Sequence, residues 1–146
     1  MTALVTGASG FVGSAVVRAL LDSGEAVRAF VRPSSDRSNL NDLKIGIEIG
    51  DLRDRASLDR AMQGCDTVFH VAADYRLWVP APSEMFHANV DGTRNVMEAA
   101  GNAGVRRIVY TSSVATLGLP QNESLPANEQ TPVKEGDIIS PYKQSK

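Results

Sequence analysis

Three glycines stand at a constant spacing near the N-terminus, at positions 7, 10 and 13, in the stretch TALVTGASGFVGS that begins at residue 2. Where a strand runs through glycines into a helix, the unpaired N–H groups and positive dipole end of the helix face the carboxyl edge of the sheet. Gly7 allows a tight turn, Gly10 lets a phosphate group approach the backbone, and Gly13 lets the helix pack closely on the strand. The spacing predicts a pyrophosphate site for a dinucleotide; the alternative is a glycine-rich connection without a ligand.

The residue that ends the second apolar run is Arg32, and it bears on the identity of the dinucleotide. An acidic residue about 20 positions after the glycines would bind the ribose 2′-hydroxyl of NAD, and none ends this run. The planar guanidinium of Arg32 suits the 2′-phosphate of NADP, with Ser34, Ser35 and Arg37 close behind it. We therefore expect NADP. NAD is the alternative if Arg32 is a surface charge and Asp36 binds the ribose.

A tyrosine and a lysine, Tyr142 and Lys146, are four residues apart just after Pro141. Pro141 favours the first turn of a helix, and the spacing then places both side chains on one helix face. Such a pair also arises by accident, so alone it is weak evidence of a site. Ser112 and Ser113 follow the last predicted strand and share the sheet edge of the glycines. We predict that a serine, the tyrosine and the lysine form one site there.

The elements that position these residues are short apolar runs that alternate with helical patterns. The predicted strands are residues 3–5, 26–31, 45–49, 67–71 and 107–111, and the predicted helices are residues 11–22, 57–62 and 83–102. Parallel neighbours need crossover connections, so helices should cover both faces of the sheet. The pattern predicts one α/β domain over residues 1–146, with a doubly wound parallel sheet of strand order 3-2-1-4-5. Residues 119–140 should form a long surface loop.

Composition excludes several classes of protein. The 146 residues carry a net charge of −2 without a basic stripe, which argues against nucleic acid as a partner. Cys65 is the only cysteine, so we expect a small core residue and neither a disulfide nor a cysteine-based zinc site. His70 and His87 are not assigned to a metal. Without a leader or a run of about 20 apolar residues, the chain is expected to be soluble and cytoplasmic.

Six motifs, in this order, resemble the short-chain dehydrogenase/reductase superfamily, in its extended branch of nucleotide-sugar epimerases, dehydratases and dihydroflavonol-reductase-like enzymes. They are TGASGFVG from residue 6, DL from residue 51, HVAA from residue 70, NVDGT from residue 89, TSS from residue 111 and YKQSK from residue 142. The stretches VFHVAADYRLWVP and YTSSVATLGLP resemble more particularly the hopanoid-associated sugar epimerases. The resemblance implies a Rossmann fold that binds NAD(P).

The resemblance also implies roles for individual side chains. Tyr142 would be the general acid/base for a substrate oxygen, and Lys146 would place a positive charge beside the phenol and bind the nicotinamide ribose. Ser113 would bond the reacting oxygen; it is preferred to Ser112 because the catalytic Ser or Thr of the family stands five residues before a glycine, here Gly118. The implied cofactor-binding residues are Gly7, Ser9, Gly10, Phe11, Val12, Gly13, Arg32, Asp51, Leu52, Val71, Ala72, Ala73, Tyr142 and Lys146.

Other residues keep two interpretations. Asp51 would contact the adenine amino group, or else cap a turn or helix. Ser113 has the alternative of a bond to a nearby backbone group. Asn89 would brace the sheet near the site. Tyr75, Arg76 and Trp78 follow the fourth predicted strand and are candidates for substrate contact; the alternative is that the aromatic residues are ordinary, partly buried loop residues.

The implied function is that of an NAD(P)-dependent enzyme acting on a carbinol or carbonyl carbon of a small molecule. A nucleotide-sugar epimerase or dehydratase comes first, and an NADPH-dependent reductase of the dihydroflavonol 4-reductase type is the alternative. A non-catalytic NADP-binding sensor or scaffold is a third hypothesis, although such relatives usually lack the Tyr and Lys. Family members are considerably longer. We therefore expect a Rossmann domain truncated before the C-terminal strands and substrate domain, inactive alone and homo-oligomeric in its full-length form.

Overall fold

Strands and helices alternate along the chain. The computed structural model describes residues 1–76, 78–120, 124–134, 136 and 138–146. The strands are β1 (Thr2–Thr6), β2 (Ala26–Val31), β3 (Gly46–Ile49), β4 (Thr67–His70) and β5 (Arg107–Tyr110). The α-helices are α1 (Phe11–Asp22), α2 (Arg55–Ala61), α3 (Pro82–Phe86), α4 (Gly92–Asn102) and α5 (Pro141–Gln144), with short 3₁₀ turns at Ser38–Leu40 and Val114–Thr116. The predicted bounds of α1 and β2 are confirmed.

The five strands form one parallel sheet in the order β3-β2-β1-β4-β5, which confirms the predicted doubly wound arrangement. At the carboxyl end of the sheet, Thr6 of β1 lies opposite Phe30 of β2 and His70 of β4, and His70 lies opposite Tyr110 of β5. Because these ends are in register, the loops that follow the strands meet at a single edge. Every residue predicted to do chemistry lies on or just beyond this edge or on the helices that start there.

Two apolar clusters cover the two faces of the sheet. Leu4 belongs to the cluster under α2 and α4, whereas the neighbouring Val5 belongs to the cluster under α1. Successive strand residues point to opposite faces, so a strand buried on both faces is a continuous apolar run. Cys65 is buried in the first cluster, as predicted. The two clusters hold the strand ends in fixed positions beneath the edge loops.

The predicted helix at residues 83–102 is interrupted. A π-helical segment, His87–Asp91, lies between α3 and α4. Such wide turns occur mostly at functional sites. The segment carries the buried Asn89. The apolar periodicity of the sequence indicated one continuous helix, so the π-helical segment was not predicted.

The predicted surface loop at residues 119–140 is mostly exposed where it is described, and residues 121–123, 135 and 137 of it lie outside the described part. The later part of this loop folds back onto Gly118, whose N–H donates to the Thr131 carbonyl over 3.1 Å. A Cβ at Gly118 would overlap the carbonyl oxygen of Pro132, so the position requires glycine. None of the described helices is long and apolar enough to cross a membrane.

Candidate cofactor and active site

The glycine loop, residues 7–13, joins β1 to α1 at the centre of the sheet edge. Gly7 has a φ of +68°, and a Cβ there would lie 2.7 Å from the backbone nitrogen of Ala72. A Cβ at Gly13 would overlap the carbonyl oxygen of Gly7. Gly10 is different, because it is exposed and an added Cβ would lie 3.3 Å from the Gly7 carbonyl. Two glycines are therefore needed by the fold, whereas Gly10 keeps an outer surface open.

The first turn of α1 presents unpaired donors beside Gly10. Among the described residues, the amide groups of Phe11, Val12 and Gly13 form no hydrogen bond. The first turn carries no acidic residue, so nothing opposes the positive end of the helix dipole. Phe11 is 92% exposed, and Ser9 lies partly buried behind it. An open cradle with three free N–H groups fits a pyrophosphate.

Arg32 follows β2 with an exposed side chain. Within the described part of the chain, its guanidinium forms no hydrogen bond or ion pair. The competing residue, Asp36, already accepts hydrogen bonds from the backbone N–H and the hydroxyl of Ser38, both over 2.9 Å. These two bonds lower the pKa of the Asp36 carboxyl. The guanidinium of Arg32 thus has no hydrogen-bond or ion-pair partner in the described part of the chain, and its charge contributes secondarily to the lowered pKa values of Asp51 and Asp74. The carboxylate of Asp36 is bound by Ser38 and keeps one lone pair on each oxygen.

Asp51 follows β3 and forms a turn with Arg53. Its carboxylate accepts from the backbone N–H of Arg53 over 2.9 Å and from the guanidinium over 3.0 and 2.9 Å. The side-chain bond from Arg53 is the main reason that the pKa of Asp51 lies below its ordinary value. Asp54, not Asp51, caps α2. Leu52 packs against the first apolar cluster, and its carbonyl accepts from Asn95.

His70, at the end of β4, was not assigned a role from the sequence. It is fully buried, with hydrogen bonds joining Nδ1 to the Thr6 hydroxyl over 2.7 Å and Nε2 to the Thr93 hydroxyl over 2.9 Å. The Thr6 oxygen also accepts from the backbone N–H of Ala72 over 3.3 Å. Burial, and secondarily the charge of Lys146, lower the pKa of His70 to about 4. The neutral imidazole therefore links β1, β4 and α4 beneath the glycine loop.

The segment after β4 lies between the glycine loop and the core. Ala72 packs beside Gly7, Val71 packs against the second apolar cluster, and Ala73 is partly buried. Tyr75 and Trp78 are 76% and 77% exposed, so they are not the partly buried loop aromatics of the alternative interpretation.

Asn89 holds this segment to the C-terminal residues. Its Oδ1 accepts from the N–H of Asp74 over 2.7 Å, and its Nδ2 donates to the Asp74 carbonyl and to the Ser145 hydroxyl, both over 2.8 Å. The bracing expected of Asn89 thus joins the segment after β4 to the end of α5. The π-helical segment directs this amide into the fold.

Ser113 caps the 3₁₀ turn that follows β5. Its Oγ accepts from the N–H of Ala115 over 3.1 Å, which is the backbone bond of the alternative interpretation. This bond leaves the hydroxyl proton free to donate. Ser112 is exposed. Within the described residues no hydrogen bond joins Ser113 to Tyr142 or Lys146.

Tyr142 and Lys146 come together, but not on one helix face as predicted. The helix α5 starts at Pro141 as expected and ends at Gln144, so Lys146 lies beyond it. The Lys146 ammonium lies 6.0 Å from the centre of the Tyr142 ring and donates to the Thr111 carbonyl over 3.2 Å. It also donates to the Tyr110 hydroxyl over 3.3 Å. A positive charge therefore stands between the end of β5 and the Tyr142 ring.

A statistical model of the NAD dependent epimerase/dehydratase family matches residues 3–146. The chain belongs to this family. The expected resemblance is therefore confirmed, while the finer likeness to hopanoid-associated sugar epimerases stays a prediction.

Individual family relatives align over nearly the whole chain. A protein of Synechocystis named a putative dihydroflavonol 4-reductase is 48% identical over 144 residues, which are 97% of this chain and 41% of the relative. The crystal structure of gox2253 is 55% identical, with a TM-score of 0.92, and the match covers 99% of this chain and 43% of that one.

A short-chain dehydrogenase/reductase superfamily protein from Agrobacterium tumefaciens, crystallised with NAD, is 36% identical with a TM-score of 0.83. That match covers 99% of this chain and 42% of that one. The chain thus spans less than half the length of the relatives it matches.

Proposed function

We propose that residues 1–146 form the NADP-binding part, with the acid/base residues, of an enzyme that transfers hydride at a carbinol or carbonyl carbon. The observation that carries the proposal is the free guanidinium of Arg32 at the same sheet edge as the unpaired amides of residues 11–13. The two sites suit two anionic groups of NADP: the pyrophosphate, which it shares with other dinucleotides, and the 2′-phosphate, which distinguishes it from NAD.

Individual residues of the chain have separate roles in cofactor binding and proton transfer. The amides of Phe11, Val12 and Gly13 hold the pyrophosphate, and Arg32 binds the 2′-phosphate. Lys146 leaves its resting acceptors to bind the nicotinamide ribose beside the Tyr142 ring. Tyr142 exchanges a proton with the substrate oxygen. When bound, NADP supplies or accepts the hydride.

Other assigned residues complete the site. Ser113 donates its free hydroxyl proton to the reacting oxygen while its Oγ stays capped by Ala115. Val71, Ala72 and Ala73 line the cofactor site beside Gly7. The Arg53 bonds leave one lone pair on Asp51 Oδ2, which is enough to accept from the adenine amino group.

Two reactions fit this chemistry. The family description supports an epimerase or dehydratase, and the name of the Synechocystis relative supports a reductase. An epimerase returns the hydride to its substrate, whereas a reductase consumes NADPH. Net cofactor turnover therefore separates them.

A non-catalytic NADP sensor is disfavoured because Tyr142 and Lys146 are both present and close together. A cytoplasmic location and a homo-oligomeric full-length form stay predictions.

The proposal is tested by calorimetric titration of the chain with NADP and NAD. Arg32→Ala removes a charge-assisted bond, so NADP should bind about 10- to 150-fold more weakly, corresponding to about 1.5–3 kcal/mol. NAD should bind almost unchanged. Arg60→Ala is the matched control, since Arg60 is exposed on α2 and, among the described residues, its side chain forms no hydrogen bond or ion pair. Equal losses for both cofactors would reject the assignment of Arg32.

A further inference from the structure

The Arg32 loop, residues 32–40, is attached to the glycine loop by a single side chain. The Nδ2 of Asn39 donates to the carbonyl oxygen of Ser9 over 2.9 Å. The two residues are 30 positions apart in the sequence. The bond therefore joins the segment that carries Arg32 to the segment that precedes the free amides of α1.

A second tie uses the backbone of Asn39 and does not depend on its amide group. Arg18 on α1 donates from Nη2 to the Asn39 carbonyl over 2.9 Å and from Nη1 to the Ser14 carbonyl over 3.2 Å. Leu40 is buried in the second apolar cluster, which contains Val17 of α1. Removing the Asn39 side chain should thus leave the loop folded and docked, while its fine placement against Ser9 is lost.

The Arg32 loop also has a rigid interior. The N–H of Ser35 donates to the Arg32 carbonyl over 3.0 Å, and the N–H of Leu40 donates to the Arg37 carbonyl over 2.8 Å. Asp36 is held on Ser38. Because these bonds fix the shape of the loop, the position of the Arg32 guanidinium relative to the pyrophosphate cradle depends on where the loop meets the glycine loop.

We infer that Asn39 is a positioning residue that sets the distance between the 2′-phosphate site and the pyrophosphate site, and so favours NADP over NAD. This inference rests on the proposed function. A ligand with a phosphate at both places gains from a fixed separation of the two sites, since no ordering of the loop is needed on binding. NAD lacks the 2′-phosphate, so it gains little from a fixed position of Arg32.

Two other roles for Asn39 give different results. A side chain that merely stabilises the fold would lower the unfolding temperature without changing the ratio of the two affinities. A side chain that shapes only the glycine loop would weaken NAD and NADP equally. Coupling between the two anion sites instead requires that the effect of Asn39 on NADP disappears once Arg32 has been removed.

The experiment is a double-mutant cycle measured by calorimetry on the 146-residue chain. The dissociation constants of NADP and NAD are determined for wild type, Asn39→Ala, Arg32→Ala and the double variant. Asn39→Ala should weaken NADP about 3- to 10-fold and NAD less than about 2-fold, as expected for one net hydrogen bond. In the Arg32→Ala background, Asn39→Ala should change NADP affinity less than about 2-fold.

Asn41→Ala is the matched control, because Asn41 is exposed and its side chain bonds to nothing in the described part of the chain. It should bind both cofactors as wild type does. Asn39→Leu removes the Nδ2 donor but keeps the bulk of the side chain, and it serves as a second variant if Asn39→Ala fails to fold. It should also weaken NADP more than NAD, and an unchanged ratio would contradict the inference.

The outcomes separate the inference from the proposed function. An equal loss for both cofactors in Asn39→Ala, no loss, or a loss that persists in the Arg32→Ala background would overturn the role of Asn39. The NADP preference of wild type and its loss in Arg32→Ala would still stand. If wild type shows no saturable binding of NADP, both the proposed function and this inference are wrong.

Discussion

His70 combines full burial with two threonine hydrogen bonds, and this combination determines its protonation state. A neutral imidazole has one N–H donor and one acceptor nitrogen, so one of Thr6 and Thr93 donates to it and the other accepts. A second proton would break one of these bonds and place a charge in the core near Lys146. The pKa of about 4 reflects that cost.

A stability loss in mild acid is therefore predicted. An unfolded histidine titrates at the ordinary value of 6.5, whereas folded His70 titrates at about 4, so the unfolded chain binds the extra proton first. The free energy of unfolding should fall as the pH decreases from about 6.5 to about 4, by about 3 kcal/mol in total, and this contribution should be constant above and below that window. Denaturant unfolding at several pH values measures it.

Two variants identify the source of the loss. His70→Gln should be less stable at neutral pH but should show almost no pH dependence between 6.5 and 4. His87→Gln is the control, since His87 is exposed and should not affect the loss. The carboxyl groups with lowered pKa values, such as those of Asp51 and Asp91, lose their contribution only below the ordinary value of 3.8. A pH-independent wild type would contradict this account of His70.

At the residue scale, the sequence predicts what depends on local spacing. Gly7 and Gly13 were identified because their roles follow from the strand and helix on either side. His70 and Asn39 were not, since His70 bonds a threonine 64 positions away and Asn39 a carbonyl 30 positions away. A lone histidine at the end of an apolar strand was the available signal, but it does not reveal its partners.

For helices and strands, too, the sequence predicts the features that depend on local spacing. The bounds of α1 and β2 were predicted because apolar periodicity and Gly24 define them within one segment. The π-helical segment was missed, because one widened turn does not alter an apolar pattern enough to be recognised.

The junction of β1 and α1 gives a prediction that separates folding from binding. Gly13→Ala should destabilise the chain by about 1–3 kcal/mol, because the Cβ overlaps the Gly7 carbonyl in a closely packed turn. Gly10→Ala should change stability by less than about 1 kcal/mol, since its φ of −77° suits alanine. It should still weaken NADP binding by placing a methyl group in the cradle.

Denaturant unfolding and calorimetric titration of the same two variants measure both effects. A Gly10→Ala chain that binds NADP as wild type does would show that the outer surface of the loop is not the binding surface. A Gly13→Ala chain of unchanged stability would show that the close approach of α1 to β1 is not required.

Across the whole molecule, the sheet brings sequence-distant residues to one edge. The parallel sheet was predictable because short apolar-rich strands alternate with helical patterns and parallel neighbours require crossover connections. The relation among Ser113, Tyr142 and Lys146 was not, because it depends on the loops between β5 and α5. The structure joins Lys146 to β5 and to the Tyr142 ring, and leaves Ser113 on its own turn.

The central claim is that this edge binds NADP through the first turn of α1 and the Arg32 loop together. Titration of the ¹⁵N-labelled chain with NADPH and with NADH, followed by amide chemical shifts, tests it most directly. Both ligands should shift the amides of Phe11, Val12 and Gly13 in a saturable way, and only NADPH should also shift residues 32–37. Saturable shifts confined to another face, or identical shifts at residues 32–37 with both ligands, would contradict the claim.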